Sequence, residues 1–186
     1  MNRPYHALIR GCVKQDPRAQ RELYELFAPK MLVVCYRYAS NAAEAEDILQ
    51  EGFIKIYQSI KKYKDKGSFE GWIRRIIINT AIDVLRKERH VHHQLELNEA
   101  IAEDYQEDVL DQLEAAYVLD VIQGLPDGYR MVFNLYAIEG FSHAEIGKKL
   151  KISESTSRSQ YTRARSMLKR KLVDSRMFQH SYRDVS

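Results

Sequence analysis

Residues 69–86 read FEGWIRRIIINTAIDVLR, with apolar side chains recurring at helical spacing rather than alternating as in a strand. Trp72, Ile73, Ile76, Ile77, Thr80, Ala81, Val84 and Leu85 make one broad stripe. Ser68 is placed to cap the open N–H groups, and Glu70 in the first turn suits the positive end of the helix. The other side carries Arg75, Asn79 and Arg86, with Ile82 interrupting them. Cations flanking an amide suit a backbone of phosphates with a base to be read. The same pattern is the solvated face of an ordinary core helix, and on periodicity alone that reading is favoured, because most such helices are only structural.

Outward from this stretch the chain stays helical. Its 186 residues include only 8 Gly and 4 Pro, and no alternating strand pattern bounded by turn residues stands out, so an all-α fold is expected. Hydrophobic residues make up 45% and charged residues 30%, with a net charge of +3 that conceals a strong segregation of sign. Cys12 and Cys35 are too far apart in sequence for a CxxC metal or redox pair and are expected to be buried free thiols in a reducing compartment. The N-terminal residues lack the apolar core of a signal peptide, and the longest apolar runs fall far below the roughly 20 residues of a membrane span. A soluble, cytoplasmic protein is the expectation.

Tyr5 to Lys14 reads as a first helix. Asp16-Pro17 starts a second, which is expected to kink or restart at Pro29. Asn41 to Glu44 resembles a capping box for a third helix, with Leu49, Phe53, Ile56 and Ile60 inward and Asp47, Gln50, Glu51, Ile54 and Gln58 outward. Ile54 on that polar face reads as an apolar anchor for a partner. The loop KKYKDKGS, residues 61–68, is basic and leads into the stretch quoted above. His90, His92 and His93 follow it. They lack a carboxylate or cysteine at ligand spacing, so a basic helix end is favoured over a metal site.

From Gln94 to Glu114 the sign inverts: Glu96, Glu99, Glu103, Asp104, Glu107, Asp108, Asp111 and Glu114 occur with no Lys or Arg. The expected organisation is an N-terminal domain over 1–93, an acidic linker over 94–108, a second domain over 109–173 and a fraying tail over 174–186. In the second domain one helix ends at Gly124 and Leu125-Pro126 opens another that runs to Gly140. Ser142 and Glu145 then form a complete capping box for a helix to about Leu150. After the tight turn Lys151-Ile152, Ser153 caps a further helix reaching about Leu172. Two helices joined by so short a turn are a helix-turn-helix. Ser157, Tyr161, Ala164 and Leu168 face the core. Ser155, Thr156, Arg158, Ser159, Gln160, Thr162, Arg163 and Arg165 are placed to meet DNA, while Lys169, Arg170 and Lys171 further along suit phosphates. A bidentate base contact discriminates by only about 1–3 kcal/mol, so a second reading element is required.

In this order the motifs resemble a bacterial RNA polymerase sigma factor of the extracytoplasmic-function (ECF) group. Asp47-Ile-Leu-Gln50-Glu51-Gly-Phe53 is similar to that family's polymerase-binding helix. Phe69, Trp72, Arg75, Asn79, Ala81, Asp83 and Arg86 fall on its second-domain signature, and Leu125-Pro126 through Arg165 is similar to its C-terminal domain. The resemblance implies a subunit that joins core RNA polymerase through the clamp and flap, directs it to a promoter and helps to melt the DNA. Asp47, Gln50, Glu51, Ile54 and Gln58 would meet polymerase. Lys61, Tyr63, Lys64, Lys66, Ser68, Arg75, Asn79 and Arg86 would serve the −10 element, with Asn79 at the family's flipped-base pocket and Tyr63 as a stacking surface. Trp72 falls on a structural tryptophan. The helix-turn-helix would read the −35 element, and the acidic linker would thread a positively charged RNA-exit path, with Glu103, Asp104, Glu107 and Asp108 mimicking RNA.

An anti-sigma factor, membrane-bound in many members, is an implied partner. No cofactor, metal or small-molecule substrate is. The chain departs from the family at Gln160, commonly basic, and at Ser157, usually aliphatic, where looser packing is expected. A stand-alone helix-turn-helix regulator is the competing reading, although no zipper heptad or ligand domain supports it. An enzyme would need a P-loop, nucleophile motif or metal spacing, and none occurs.

Overall fold

The computed structural model describes residues 5–92 and 118–183, with side chains described over 5–86 and 118–171. The chain divides into two compact units, Met1–Gln94 and Leu95–Ser186. Every regular element among the described residues is helical. The acidic stretch and the histidine cluster lie outside the residues whose side chains are described.

In the first unit α1 is His6–Val13, α2 Pro17–Tyr36, α3 Ala42–Ser59 and α4 Phe69–His92. Asp16 caps α2 by accepting from the Arg18 N–H at 3.0 Å, with proline in the first turn where its missing N–H costs nothing. Of the two expected outcomes at Pro29, the restart does not occur: α2 continues as one helix through it. Pro29 is exposed, and burial of Phe27, Ala28 and Met31 around it offsets the hydrogen bond that the proline removes. Asn41 caps α3 through its side-chain oxygen, 2.8 Å from the Glu44 N–H. The reciprocal half of the box is displaced by one residue: the Ser40 N–H, not that of Asn41, donates to Glu44 Oε2 at 2.6 Å.

The core of this unit joins α2, α3 and α4 with α1 packed against α2. Leu49, Phe53, Ile56 and Ile60 are all buried, as the inner stripe of α3 requires. On α4 the buried set is Phe69, Ile73, Ile77, Ile78, Thr80, Ala81, Ile82 and Leu85. This corrects the expected stripe in two ways. Ile78 and Ile82 are buried, and Trp72, Ile76 and Val84 are only half-buried. A helix packed on two neighbours buries a wider arc than one face of a helical wheel. Each large apolar side chain so placed is worth about 1.5–3 kcal/mol relative to exposure.

In the second unit residues 118–123 are helical, α5 is Asp127–Phe133, α6 His143–Leu150 and α7 Glu154–Arg183. The chain continues from α5 through a π-helical turn, Asn134–Ile138, which the sequence did not announce. Val121, Ile122, Leu125, Ala164 and Leu168 form the core, with Tyr129, Phe133 and Met167 against it. Arg130, 3% exposed, is buried beneath the Leu125-Pro126 turn. It donates to the carbonyls of Gln123 at 2.8 Å and Leu125 at 3.4 Å and pairs with Asp127 at 2.9 Å. This guanidinium satisfies carbonyls at the end of one helix while anchoring the start of the next. The tail also differs from expectation: α7 continues as helix to Arg183, and no Gly or Pro interrupts residues 173–183.

Candidate nucleic-acid interface

The helix-turn-helix is set by local chemistry. Ser142 Oγ accepts from the Glu145 N–H at 3.3 Å while Glu145 Oε2 accepts from the Ser142 N–H at 2.8 Å and its hydroxyl at 2.7 Å, closing the box that starts α6. Those bonds hold the Glu145 carboxyl below its ordinary range. At the far end Lys151 takes a left-handed conformation, φ 56°. A lysine there costs about 1–2 kcal/mol relative to an unstrained position. Ser153 Oγ then accepts from the Thr156 N–H at 2.9 Å to start α7.

A buried polar pair locks the two helices where looser packing is expected from the sequence. Ser157 is fully buried, and its Oγ lies 2.9 Å from Nδ1 of buried His143. The imidazole stacks on Tyr136, ring centroids 4.2 Å apart, with Tyr161 at 5.9 Å. Burial, aided by the Arg158 charge, pushes the His143 pKa down, so the ring is held neutral. Ser157 is therefore one half of a buried hydrogen bond rather than a loosened aliphatic site.

Along α7, Ser155, Arg158, Ser159, Thr162, Arg163, Arg165 and Lys169 are exposed, whereas Thr156 and Gln160 are half-buried. Several are already engaged. Arg158 pairs with Glu154 one turn back. Ser159 and Thr162 donate to the carbonyls of Thr156 and Arg158 at 2.9 and 3.0 Å, and Arg163 reaches back to the Tyr129 hydroxyl at 3.3 Å. Arg165 and Lys169 are exposed with no ion pair among the described residues. Tyr161 is half-buried rather than fully inward, while Ala164 and Leu168 are buried as expected.

In the first unit Asp47, Gln50, Ile54 and Gln58 are exposed on α3; Ile54 is 55% exposed. Glu51 is half-buried and pairs with Lys55 at 2.9 Å, and Lys55 reaches Asp83 of α4 at 3.6 Å. The loop before α4 exposes Lys61, Lys64, Lys66 and Ser68, and Ser68 Oγ accepts from the Gly71 N–H at 3.3 Å. Arg75 is exposed and without an ion pair among the described residues. Arg86 is half-buried and pairs with Asp83, three residues back on α4, at 3.4 Å. Asn79 is half-buried among the buried Ile78, Thr80 and Ile82. Tyr63 is not the open stacking surface expected. Its ring packs on Phe69 and Trp72 at 5.0 and 5.4 Å, within a cluster that continues to Phe27 and Tyr5. Trp72 lies parallel to Phe69 at 5.9 Å, consistent with a packing role. Cys12 and Cys35 are buried free thiols, and burial pushes them up to about 11 and about 12, which leaves them protonated and unreactive at neutral pH.

Two family matches cover these surfaces: Sigma-70 region 2 matches residues 23–91 and Sigma-70, region 4 matches residues 115–168. The ECF RNA polymerase sigma factor SigW of Bacillus subtilis is 32% identical over 178 residues, spanning 89% of this chain and 95% of the relative. The chain belongs to the ECF RNA polymerase sigma factors. SigE of Mycolicibacterium smegmatis, another ECF sigma factor, is 32% identical over 158 residues, 80% of this chain and 59% of that relative. The sigma factor RpoE of Bartonella quintana, solved with the anti-sigma factor NepR, shares the fold: TM-score 0.51 at 20% identity over 82% of this chain and 95% of that one. As a sigma factor the chain acts with core RNA polymerase in promoter-specific initiation of transcription. No helix among the described residues is long and apolar enough to cross a membrane, and none of their His, Cys, Asp and Glu side chains cluster as a metal site.

Proposed function

We propose that this sigma factor divides promoter recognition between its two units. Region 2 binds the polymerase clamp through the exposed face of α3, with Ile54 as apolar anchor and Asp47, Gln50 and Gln58 around it. Loop 61–68, Arg75 and Asn79 engage the −10 element. Region 4 reads the −35 element through the first half of α7, with Arg165 and Lys169 on phosphates, and meets the polymerase flap. The observation that carries this reading is the order of the parts. A basic loop and an amide-bearing helix lie in one unit, and a capped helix-turn-helix with a cationic outer face lies in the other. Neither reads enough DNA by itself, and one chain supplies both.

The acidic linker occupies the RNA path of the polymerase, the protein works in the cytoplasm beside its polymerase, and it contributes binding energy rather than covalent chemistry. Ile54 and its polar surround also serve as the contact for an anti-sigma factor, the class of partner seen on the Bartonella RpoE. The test is run-off transcription with core polymerase on genomic promoter fragments. New start sites appear only when this chain is added. A chain that instead binds duplex DNA tightly and specifically without polymerase is a stand-alone regulator, and the reading fails.

A further inference from the structure

We propose that loop 61–68 is held in its DNA-reading shape by a polar clamp centred on the Tyr63 hydroxyl, with His6 of α1 as its outer anchor. Tyr63 and His6 are then positioning residues for −10 selection. This rests on the reading of that loop as a −10 contact.

The loop contains two left-handed residues in three, Asp65 at φ 52° and Gly67 at φ 104°. Glycine adopts that conformation freely; aspartate does so at a cost, which surrounding contacts must offset. The contacts are present. Tyr63 Oη donates to the Gly67 carbonyl at 3.0 Å and lies 3.3 Å from Asp65 Oδ1. The other carboxylate oxygen of Asp65 lies 3.5 Å from His6 Nε2. One hydroxyl thus spans the turn, and one carboxylate ties it to α1.

The Tyr63 ring is fixed in turn by Phe69 and Trp72, so the hydroxyl has a defined position from which to hold the loop. Lys61, Lys64 and Lys66 are exposed around this clamp. An ordered turn presents their charges to a single strand in one arrangement, whereas a loose turn would attract any strand. The hydroxyl, rather than the aromatic face, is therefore what Tyr63 contributes to selectivity. His6 lies on α1, outside residues 23–91, the segment that matches region 2.

The experiment uses the full chain bound to core polymerase and fluorescent single-stranded oligonucleotides. These carry the non-template −10 sequence of a promoter found by run-off transcription, and each of its single-base variants. The readout is the ratio of affinities for the preferred base and the others. Tyr63→Phe keeps the ring and deletes the hydroxyl, and it is expected to lower that ratio by about 2- to 10-fold, the equivalent of one net hydrogen bond. His6→Ala is expected to lower it by a smaller factor, roughly 1.5- to 5-fold, because the pair is half-exposed.

A Tyr63→Phe complex with the wild-type ratio overturns the clamp. So does one that binds every oligonucleotide equally less well, which would mark a general loss of contact or folding. A silent His6→Ala overturns the anchor. A wild-type complex with no base preference at all would instead sink the −10 reading, and the clamp with it.

Discussion

Replacing Ser157 by Ala tests whether the buried pair under the recognition helix holds region 4 together. The substitution removes one atom from a fully buried site and leaves His143 Nδ1 facing a methyl group. A buried polar group stripped of its partner costs about 1–3 kcal/mol. Amides of α6 that exchange through opening of this unit should then exchange roughly 5- to 150-fold faster, since each 1.4 kcal/mol is tenfold. The chain has a single tryptophan, Trp72 in the first unit, so its fluorescence-detected unfolding is an internal control and should not move.

Replacing both partners, His143→Phe with Ser157→Ala, removes the unsatisfied nitrogen and keeps a ring against Tyr136. The double variant should recover most of the loss, a coupling of about 0.5–3 kcal/mol. The pH dependence follows from the lowered His143 pKa. The native state favours the neutral ring, so this stability is complete above the ordinary imidazole value of 6.5 and is lost as pH falls below it. The charged groups acting on the ring are Arg158, which reinforces the shift, and Glu154, which opposes it. Glu145, whose pKa is also lowered, gives up its contribution only further down, as pH falls through the carboxylate range. Unchanged α6 protection in Ser157→Ala, or a double variant no better than the single, would refute the reasoning.

Ile54→Asp places a charge at the proposed polymerase anchor without touching the core, and should weaken core polymerase binding at least about tenfold in a fluorescence titration with no change in the unfolding midpoint. Asn79→Ala should relax preference at one −10 base by about 1–3 kcal/mol, read as −10 point variants becoming equivalent in open-complex formation rather than uniformly weaker. Lys169→Ala should do the opposite: the polymerase complex weakens on all −35 sequences alike, and the log–log salt slope falls by about 1. Lys151→Gly relieves a left-handed lysine in the helix-turn-helix turn and should slow α6 exchange by an amount equivalent to about 1 kcal/mol.

The legible parts of this chain are those whose causes lie within a few residues. Asp16 before Pro17, Asn41 before Glu44, Ser142 with Glu145, and Ser153 all announce helix starts. Capping pairs an N–H with a side chain two or three positions away, and no tertiary information is needed. The inner stripe of α3 was legible for the same reason, since helical spacing is a local property. The wider buried arc of α4 was not, because it depends on how many neighbours the helix packs against. Arg130 is a charged residue in an apolar run, and nothing in its spacing shows that helix-end carbonyls at Gln123 and Leu125 will converge on it.

The amino-acid sequence by itself determined the helical class, the two-part plan, the helix-turn-helix and the polymerase and promoter chemistry implied by the order of motifs. The polar face of the 69–86 helix that is proposed to meet a base was also on display, as Arg75 and Asn79 at helical spacing. Tertiary structure alone decided what the ambiguous residues do. It turned the Tyr63 ring inward onto Phe69 and Trp72 and joined Ser157 to His143 across fourteen residues. A side chain's spacing fixes the direction it leaves the helix, but its partner is whatever the packed neighbours bring within about 3 Å of it, and that is settled only when the helices meet.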